Sequence, residues 1–206
     1  MNEILIKNNI AEDFTGGCFD TAVKYYSKGE IILRHLREEK ETGIVLAGTV
    51  LIISINSEGQ KSIIDVCTEG DAFGDGLFPD GGLNACYALA KTKCTVAYAD
   101  YNKLIRRCEK SCEKHAELID YLLGTAVRRS MMHIDILSRR SIREKLLLFF
   151  EYFFGSSRGV EKQLPLSLSE LADYLCCDRS AMMREIKKLN DSGVLTSNGR
   201  KITLRP

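Results

Sequence analysis

The chain has 206 residues, 45% of them hydrophobic and 28% charged, with a formal net charge of +1. That is enough for one large or two small domains with real cores, and it excludes a disordered chain. No apolar run reaches the roughly 18 residues of a membrane span, and eight cysteines in so core-rich a chain read as reduced thiols rather than a disulfide scaffold.

The opening "MNEILIKNNIAEDF" is acidic and has no secretory apolar stretch, so the expected location is cytoplasmic. From about Val23 to Tyr98 the pattern predicts short strands separated by turns. "TGIVLAGTVLIISINSEGQKSIIDVC" places two β-branched runs around "NSEG", a hairpin signal. Glycines recurring from Gly29 to Gly76 have the spacing of small all-β sandwiches, rolls and barrels.

From about Tyr101 to Ser138 the period lengthens. Leu104, Cys108, Cys112, His115, Ile119, Leu122, Ala126, Met132 and Ile136 fall mostly three, four or seven apart. A break near Ser111 leaves a final helix of about 24 residues, roughly 36 Å long. Its apolar stripe, flanked by Glu117, Arg128 and Arg129, suits pairing with a second copy of the chain. A long helix lying on its own sheet is the other reading.

Charge is unevenly spread. Met1 to Leu137 carries 16 Lys+Arg against 20 Asp+Glu, and Ser138 to Pro206 carries 13 against 8. A basic C-terminal part is what a polyanion partner would need. In that part "SIREKLLLFFEYFF" predicts an amphipathic helix and "GSSRGVEKQ" a flexible turn or linker. Pro165 forbids helix continuation. "SLSELADYL" opens with Ser167 three residues before Glu170, a capping box. "GVLTSNGRKITL" reads as a hairpin around Asn198-Gly199. Helix, short helix, tight turn, helix and hairpin is the winged helix-turn-helix order.

The helix opened by "CCDRSAMMREIKKL" is the chemically informative one. Asp178 is a plausible N-cap. Met182, Ile186 and Leu189 lie four and three apart and face a core. Arg179, Ser180, Met183, Arg184 and Lys187 share the opposite face. Guanidinium forks at Arg179 and Arg184 match guanine edges or phosphates, and Lys187 and Lys188 suit phosphate neutralisation. Any solvated helix face carries Lys and Arg. It is the capped helix before this one and the hairpin after it, with Arg200 at its tip, that select a major-groove reader of double-stranded DNA.

These stretches resemble the CRP/FNR superfamily of bacterial transcription regulators, the catabolite activator protein and its relatives, over nearly the whole chain. "LSLSELADYLCCDRSAMMREIKKLNDSGVLTSNGRKITL" is similar to the family's DNA-binding segment. "VLAGTVLII", "EGDAFGDGLF" and "AKTKCTVAYADYNKL" are similar to its cyclic-nucleotide-type β-roll. "DYNKLI", "SRRSIREKLL" and "ELADYLCCDRSAM" resemble a clostridial-type subgroup of anaerobic Gram-positive bacteria.

The resemblance implies an α+β chain in three parts. Residues 1–112 would be an effector-sensing β-roll, 113–137 a dimerisation helix and 138–206 a winged helix-turn-helix domain. It implies a homodimer on a near-palindromic operator, with RNA polymerase as a further partner. It places base contacts at Arg179, Ser180, Met183 and Arg184, and a phosphate contact at Ser167. Many members carry Glu where this chain has Ser180, which implies a different operator.

The effector pocket of the cyclic-AMP-binding members has a Gly-Glu pair and later an Arg-Ser pair. Here the corresponding positions are Gly74, Asp75 and Gly76, then Asn84 and Ala85. Losing the arginine fork removes charge-assisted bonds of about 1.5–3 kcal/mol each, and a loss of about 3 kcal/mol is more than a hundredfold in affinity. The sequence therefore disfavours cyclic AMP and leaves the effector unknown.

An iron–sulfur cluster needs four ligands, and Cys18 stands alone near the start. Haem needs an axial ligand from His35, His115 or His133, and His115 reads as a satisfied interface histidine. Cys108 and Cys112, four apart on a helix, read as small buried hydrophobes ahead of metal ligands, so no metal site is assigned. Cys176-Cys177 lie where a helix N-terminus and Arg179 would lower a thiol pKa, although packing in the turn is the simpler role.

The competing reading is a cytosolic ligand- or thiol-redox-sensing protein that acts through protein partners. An enzyme is not expected. There is no phosphate-binding glycine loop or metal-ligand helix, and "GDAFGDG" lacks the strand-to-helix setting of a dinucleotide motif.

Overall fold

The computed structural model describes residues 14–15, 18, 20–34, 40–74, 85–106, 112–155 and 157–205. The chain divides into two compact units, Met1–Arg129 and Ser130–Pro206. No helix among the described residues is long and apolar enough to cross a membrane.

Among the described residues, the first unit contains eight strands: β1 (Thr21–Tyr26), β2 (Ile31–Arg34), β3 (Glu41–Ala47), β4 (Val50–Ile55), β5 (Lys61–Cys67), β6 (Ala72–Gly74), β7 (Ala85–Ala90) and β8 (Cys94–Asp100). They form two antiparallel four-stranded sheets, ordered β1-β8-β3-β6 and β2-β7-β4-β5. Ile32, Val45, Val50, Ile52, Phe73, Ala88, Val96 and Tyr98 pack into one buried cluster. The alternate residues of the first sheet, Ile44, Ala72, Ala97 and Ala99, pack into a second cluster with Phe14, Leu104, Leu118 and Leu122. Because both faces of β3 and β8 are covered, their runs stay apolar instead of alternating with polar residues. The alanines on the helix-facing side keep that layer thin.

The "NSEG" hairpin forms as expected. Ile55 pairs with Lys61, and Asn56 Oδ1 accepts from the amides of Glu58 and Gln60 at 3.0 and 2.9 Å. A short helix α1 (Tyr101–Ile105), capped by Asp100, follows β8. The long helix α2 spans Glu113–Leu137.

Two expectations about α2 need correction. Leu122 and Ala126 of the anticipated pairing stripe are buried inside the chain, as is Leu118. Leu118 and Leu122 belong to the second cluster above. The large apolar residues that α2 leaves exposed are Leu123, Val127, Met131 and Ile134, a face rotated by about one residue, or 100°. Arg129, expected beside the stripe, is largely buried and donates to Asp65, Asp71 and the Ala72 carbonyl instead.

In the second unit, helix α3 (Ile142–Phe154) is opened by a Ser141/Glu144 capping box and buries Leu146, Phe149, Phe150 and Phe154. Helix α4 (Leu168–Tyr174) carries the expected Ser167/Glu170 box. Helix α5 (Arg179–Asp191) follows, and then the hairpin β10 (Leu195–Asn198) and β11 (Lys201–Leu204).

The supposed linker "GSSRGVEKQ" contains a strand, β9 (Glu161–Gln163), which pairs with β11 and gives the order β10-β11-β9. Glu-Lys-Gln has poor intrinsic strand preference, so this strand is made by its partner. Its Lys162 runs its stem inward and donates to the Phe153 and Phe154 carbonyls at 3.3 and 3.2 Å.

Candidate nucleic-acid interface and sensory unit

Helix α5 starts because Asp178 accepts from the Ala181 amide at 2.7 Å, satisfying a donor that the first turn leaves unpaired. Met182, Ile186 and Leu189 are buried, and α5 packs against α3, α4 and β10. Fully burying three such side chains stabilises the unit by roughly 1.5–3 kcal/mol each, and this fixes the rotation of the helix.

The opposite face consequently presents Arg179, Ser180, Met183, Arg184 and Lys187 to solvent. Among the described residues, no intramolecular ion pair engages Arg179, Arg184 or Lys187. Lys188 differs: it pairs with Glu185 at 2.6 Å, so the phosphate role foreseen for it competes with a local partner.

Ser167 Oγ accepts from the Glu170 amide at 3.3 Å and the Ser167 amide donates to Glu170 Oε2 at 2.6 Å. The cap uses the hydroxyl as an acceptor and leaves its O–H able to donate. Arg200 is exposed in the β10–β11 turn, and its carbonyl accepts from Leu164. Asn190, at the end of α5, ties helix to hairpin: its Oδ1 accepts from the Ser197 amide at 3.0 Å and its Nδ2 donates to Ser197 Oγ at 2.7 Å. This brace was not anticipated from the sequence.

In the turn between α4 and α5, Cys176 is exposed with φ +48°, and among the described residues it is the non-glycine residue with positive φ. Left-handed backbone costs an L-residue roughly 1–2 kcal/mol, while glycine loses about 0.4–1 kcal/mol more chain entropy. Cys176→Gly should therefore raise stability by roughly 0.5–1 kcal/mol, read from urea unfolding. A lower midpoint would mean that the 3.8 Å thiol contact to the Asp173 carbonyl outweighs the backbone cost.

The Cys177 thiol does not behave as expected from its place before a helix. Burial pushes its pKa above the ordinary value, Lys145 opposes this, and Cys176 and Asp178 add to it. Arg179 takes no part.

In the first unit, Asp75, Gly76 and Asn84 lie outside the described residues, and Ala85 is the first residue of β7, opposite Ile55. Gly74 closes β6 with φ +112°, and a Cβ there would meet the Glu41 carbonyl oxygen at 2.5 Å. Close backbone approach requires this glycine, whatever the pocket holds.

Arg129 is a largely buried cation of this unit. Its Nε and Nη2 donate to Asp65, its Nη1 to Asp71 at 3.1 Å and its Nη2 to the Ala72 carbonyl at 2.7 Å. Burial lowers its pKa, but Cys67, Asp65 and Asp71 outweigh that and raise it. The same burial, followed by Asp65, drives the Cys67 thiol well above its ordinary value.

Cys18, which stands alone in sequence, is not alone in space. Its Sγ lies 3.7 Å from Cys112 Sγ and 3.1 Å from His115 Nδ1. Cys108 and His35 lie outside the described residues. His133 is buried, stacked on Tyr174 at 4.0 Å, with Nε2 at 2.7 Å from the Tyr174 carbonyl.

A family model, the cyclic nucleotide-binding domain, matches residues 23–111. The chain is 24% identical over 192 residues to the cAMP-activated global transcriptional regulator CRP of Pasteurella multocida (strain Pm70), covering 88% of each chain. FixK2 from Bradyrhizobium japonicum superposes with a TM-score of 0.73 at 22% identity, covering 90% of this chain and 93% of that one. A CooA variant from Carboxydothermus hydrogenoformans gives a TM-score of 0.73 at 18% identity, covering 90% and 84%. The fold shared with these structures is an antiparallel β-roll followed by a winged helix-turn-helix unit. Over most of its length the chain is similar to CRP/FNR-type transcription regulators.

Proposed function

We propose that the chain is a homodimeric, sequence-specific, cytoplasmic DNA-binding regulator. In this reading residues 1–112 sense an effector, 113–137 dimerise and 138–206 bind DNA, with RNA polymerase as the downstream partner. The observation that carries it is α5, pinned by Met182, Ile186 and Leu189 while Arg179 and Arg184 stand exposed and unpaired on the other side. Such a face admits a helix to the major groove with its guanidinium forks near the N-terminal end, where base edges are read. Ser167, Lys187 and Arg200 hold phosphates, and Ser180 and Met183 permit close approach.

The effector is proposed to be a small molecule other than cyclic AMP. The relative from Pasteurella is cAMP-activated by name. This chain has Asp75 in place of the family's glutamate and Asn84-Ala85 in place of its Arg-Ser pair, so a cyclic phosphate loses its fork.

Selection of bound sequences from random DNA should recover a near-palindrome with half-sites one helical turn, roughly 34 Å, apart. On that sequence Arg184→Ala should weaken binding by about 1–3 kcal/mol, or roughly 5- to 150-fold, with the fold intact. Equal affinity of the variant and parent would remove the assignment of α5. Enrichment of no palindrome at all would favour a sensor that acts only on protein partners.

A further inference from the structure

We infer that Cys18, Cys112 and His115 form a binding site for a zinc-class divalent cation and supply three of its ligands. Their ligand atoms lie within 4.8 Å of one another, the one such grouping of three or more among the described residues. A zinc–sulfur bond is about 2.3 Å and a zinc–nitrogen bond about 2.0–2.1 Å. At tetrahedral angles these bonds place two sulfurs roughly 3.8 Å apart, and sulfur and nitrogen roughly 3.6 Å apart. The two sulfurs stand at 3.7 Å, and Cys18 Sγ stands 3.1 Å from Nδ1. The sulfur pair already has the separation a shared ion needs, and the imidazole contact must open by roughly half an ångström.

The histidine is prepared for ligation. His115 is buried, and Nε2 lies 2.6 Å from the Leu104 carbonyl. A carbonyl only accepts, so Nε2 holds the proton and Nδ1 turns its lone pair to the cysteines. A second bond of this kind orients metal-ligating imidazoles and fixes their tautomer. Leu104 is itself buried with Phe14 and Leu118, which holds the ring's anchor still.

Cys112 directly precedes α2, which fixes the backbone from which its thiol projects. The exposure of Cys18 gives an ion a way in. Two thiolates and one imidazole select a borderline-soft cation over magnesium or calcium. Loading replaces two thiol protons by one ion and releases both protons to solvent.

Cobalt(II), added to the reduced full-length protein, is the probe. The expected result is a thiolate-to-cobalt charge-transfer band and tetrahedral d–d bands that saturate at one ion per chain and are displaced by zinc(II). Zinc should also raise the thermal midpoint of the parent. Cys18→Ser, at an exposed position, tests the site with little risk to folding. With Cys112→Ser and His115→Gln it should lose at least tenfold in affinity and lose the zinc-dependent shift. Cys176→Ser should keep both.

Absence of a thiolate band in the reduced parent overturns the inference, and so does a band that survives in the Cys18→Ser/Cys112→Ser double variant. A Cys18–Cys112 disulfide formed under mild oxidant, in a protein that takes up no metal when reduced, also overturns it and makes the pair a redox couple. The titration contains no DNA, so its failure leaves the DNA-binding proposal standing, and the reverse also holds.

Discussion

Arg129→Met should lower the unfolding free energy by about 3–5 kcal/mol, the cost of removing one partner from a buried ion pair. The size follows from what would be left behind. Asp65 and Asp71 are both buried, and each shares the single guanidinium at 3.0–3.1 Å. Asp65 Oδ1 also accepts from the Val66 amide, and Asp71 Oδ2 from the amide and hydroxyl of Thr68. These bonds help the carboxylates but do not neutralise them.

Methionine keeps most of the side-chain volume, so the loss reports charge and hydrogen bonding rather than a cavity. Arg129→Lys should recover little, because one ammonium cannot span Asp65, Asp71 and the Ala72 carbonyl as the planar fork does. Adding Asp65→Asn and Asp71→Asn to Arg129→Met should restore part of the loss by removing the stranded charges. The measurement is urea unfolding at unchanged slope. A midpoint for Arg129→Met within about 0.5 kcal/mol of the parent, the ordinary range of a surface change, would show that the cluster does not hold α2 to β5 and β6.

This network also marks what the sequence could show and what it could not. Features written in a few neighbouring residues were legible. The "NSEG" hairpin, the Ser167/Glu170 box, the Asp178 cap and the division of α5 into a buried and an open face all follow from spacing. Features made by distant partners were not. Arg129 meets Asp65 across 64 residues, and Cys18 meets Cys112 across 94. Neither residue carries a local sign of its partner.

Strand β9 fails for the same reason: Glu161-Lys162-Gln163 extends because β11 offers a ladder, not because those residues favour strands. The long helix fails differently. Its period is plain, but two apolar stripes about 100° apart share the surface, and only the fold decides which one the β-roll uses. Within the pocket, the local pattern around Gly74 suggested ligand binding, while the Glu41 carbonyl beside it supplies a sufficient backbone reason for glycine.

Val127→Glu combined with Met131→Glu should convert a dimer into a folded monomer at micromolar concentration. Leu123, Val127, Met131 and Ile134 are 46%, 57%, 57% and 57% exposed, and they follow one another at intervals of four, four and three along α2. That spacing makes one stripe on a helix, suited to a coiled-coil seam with its own copy. Full burial of such side chains contributes about 1.5–3 kcal/mol each. Half of that from each of eight side chains in a symmetric pair gives roughly 6–12 kcal/mol. Association costs about 4–15 kcal/mol, so the balance is thin, and two carboxylates per helix, facing their copies, should tip it.

Light scattering should report the mass of one chain for the variant and two for the parent, with helix content unchanged. Operator affinity should fall with it, since each half-site then binds alone. Leu118→Glu provides the contrast: it strikes the stripe buried against β3 and β8 and should unfold the first unit rather than divide a dimer. A Val127→Glu/Met131→Glu protein that still sediments as two chains would place the pairing surface elsewhere and take the two-fold geometry of the operator with it.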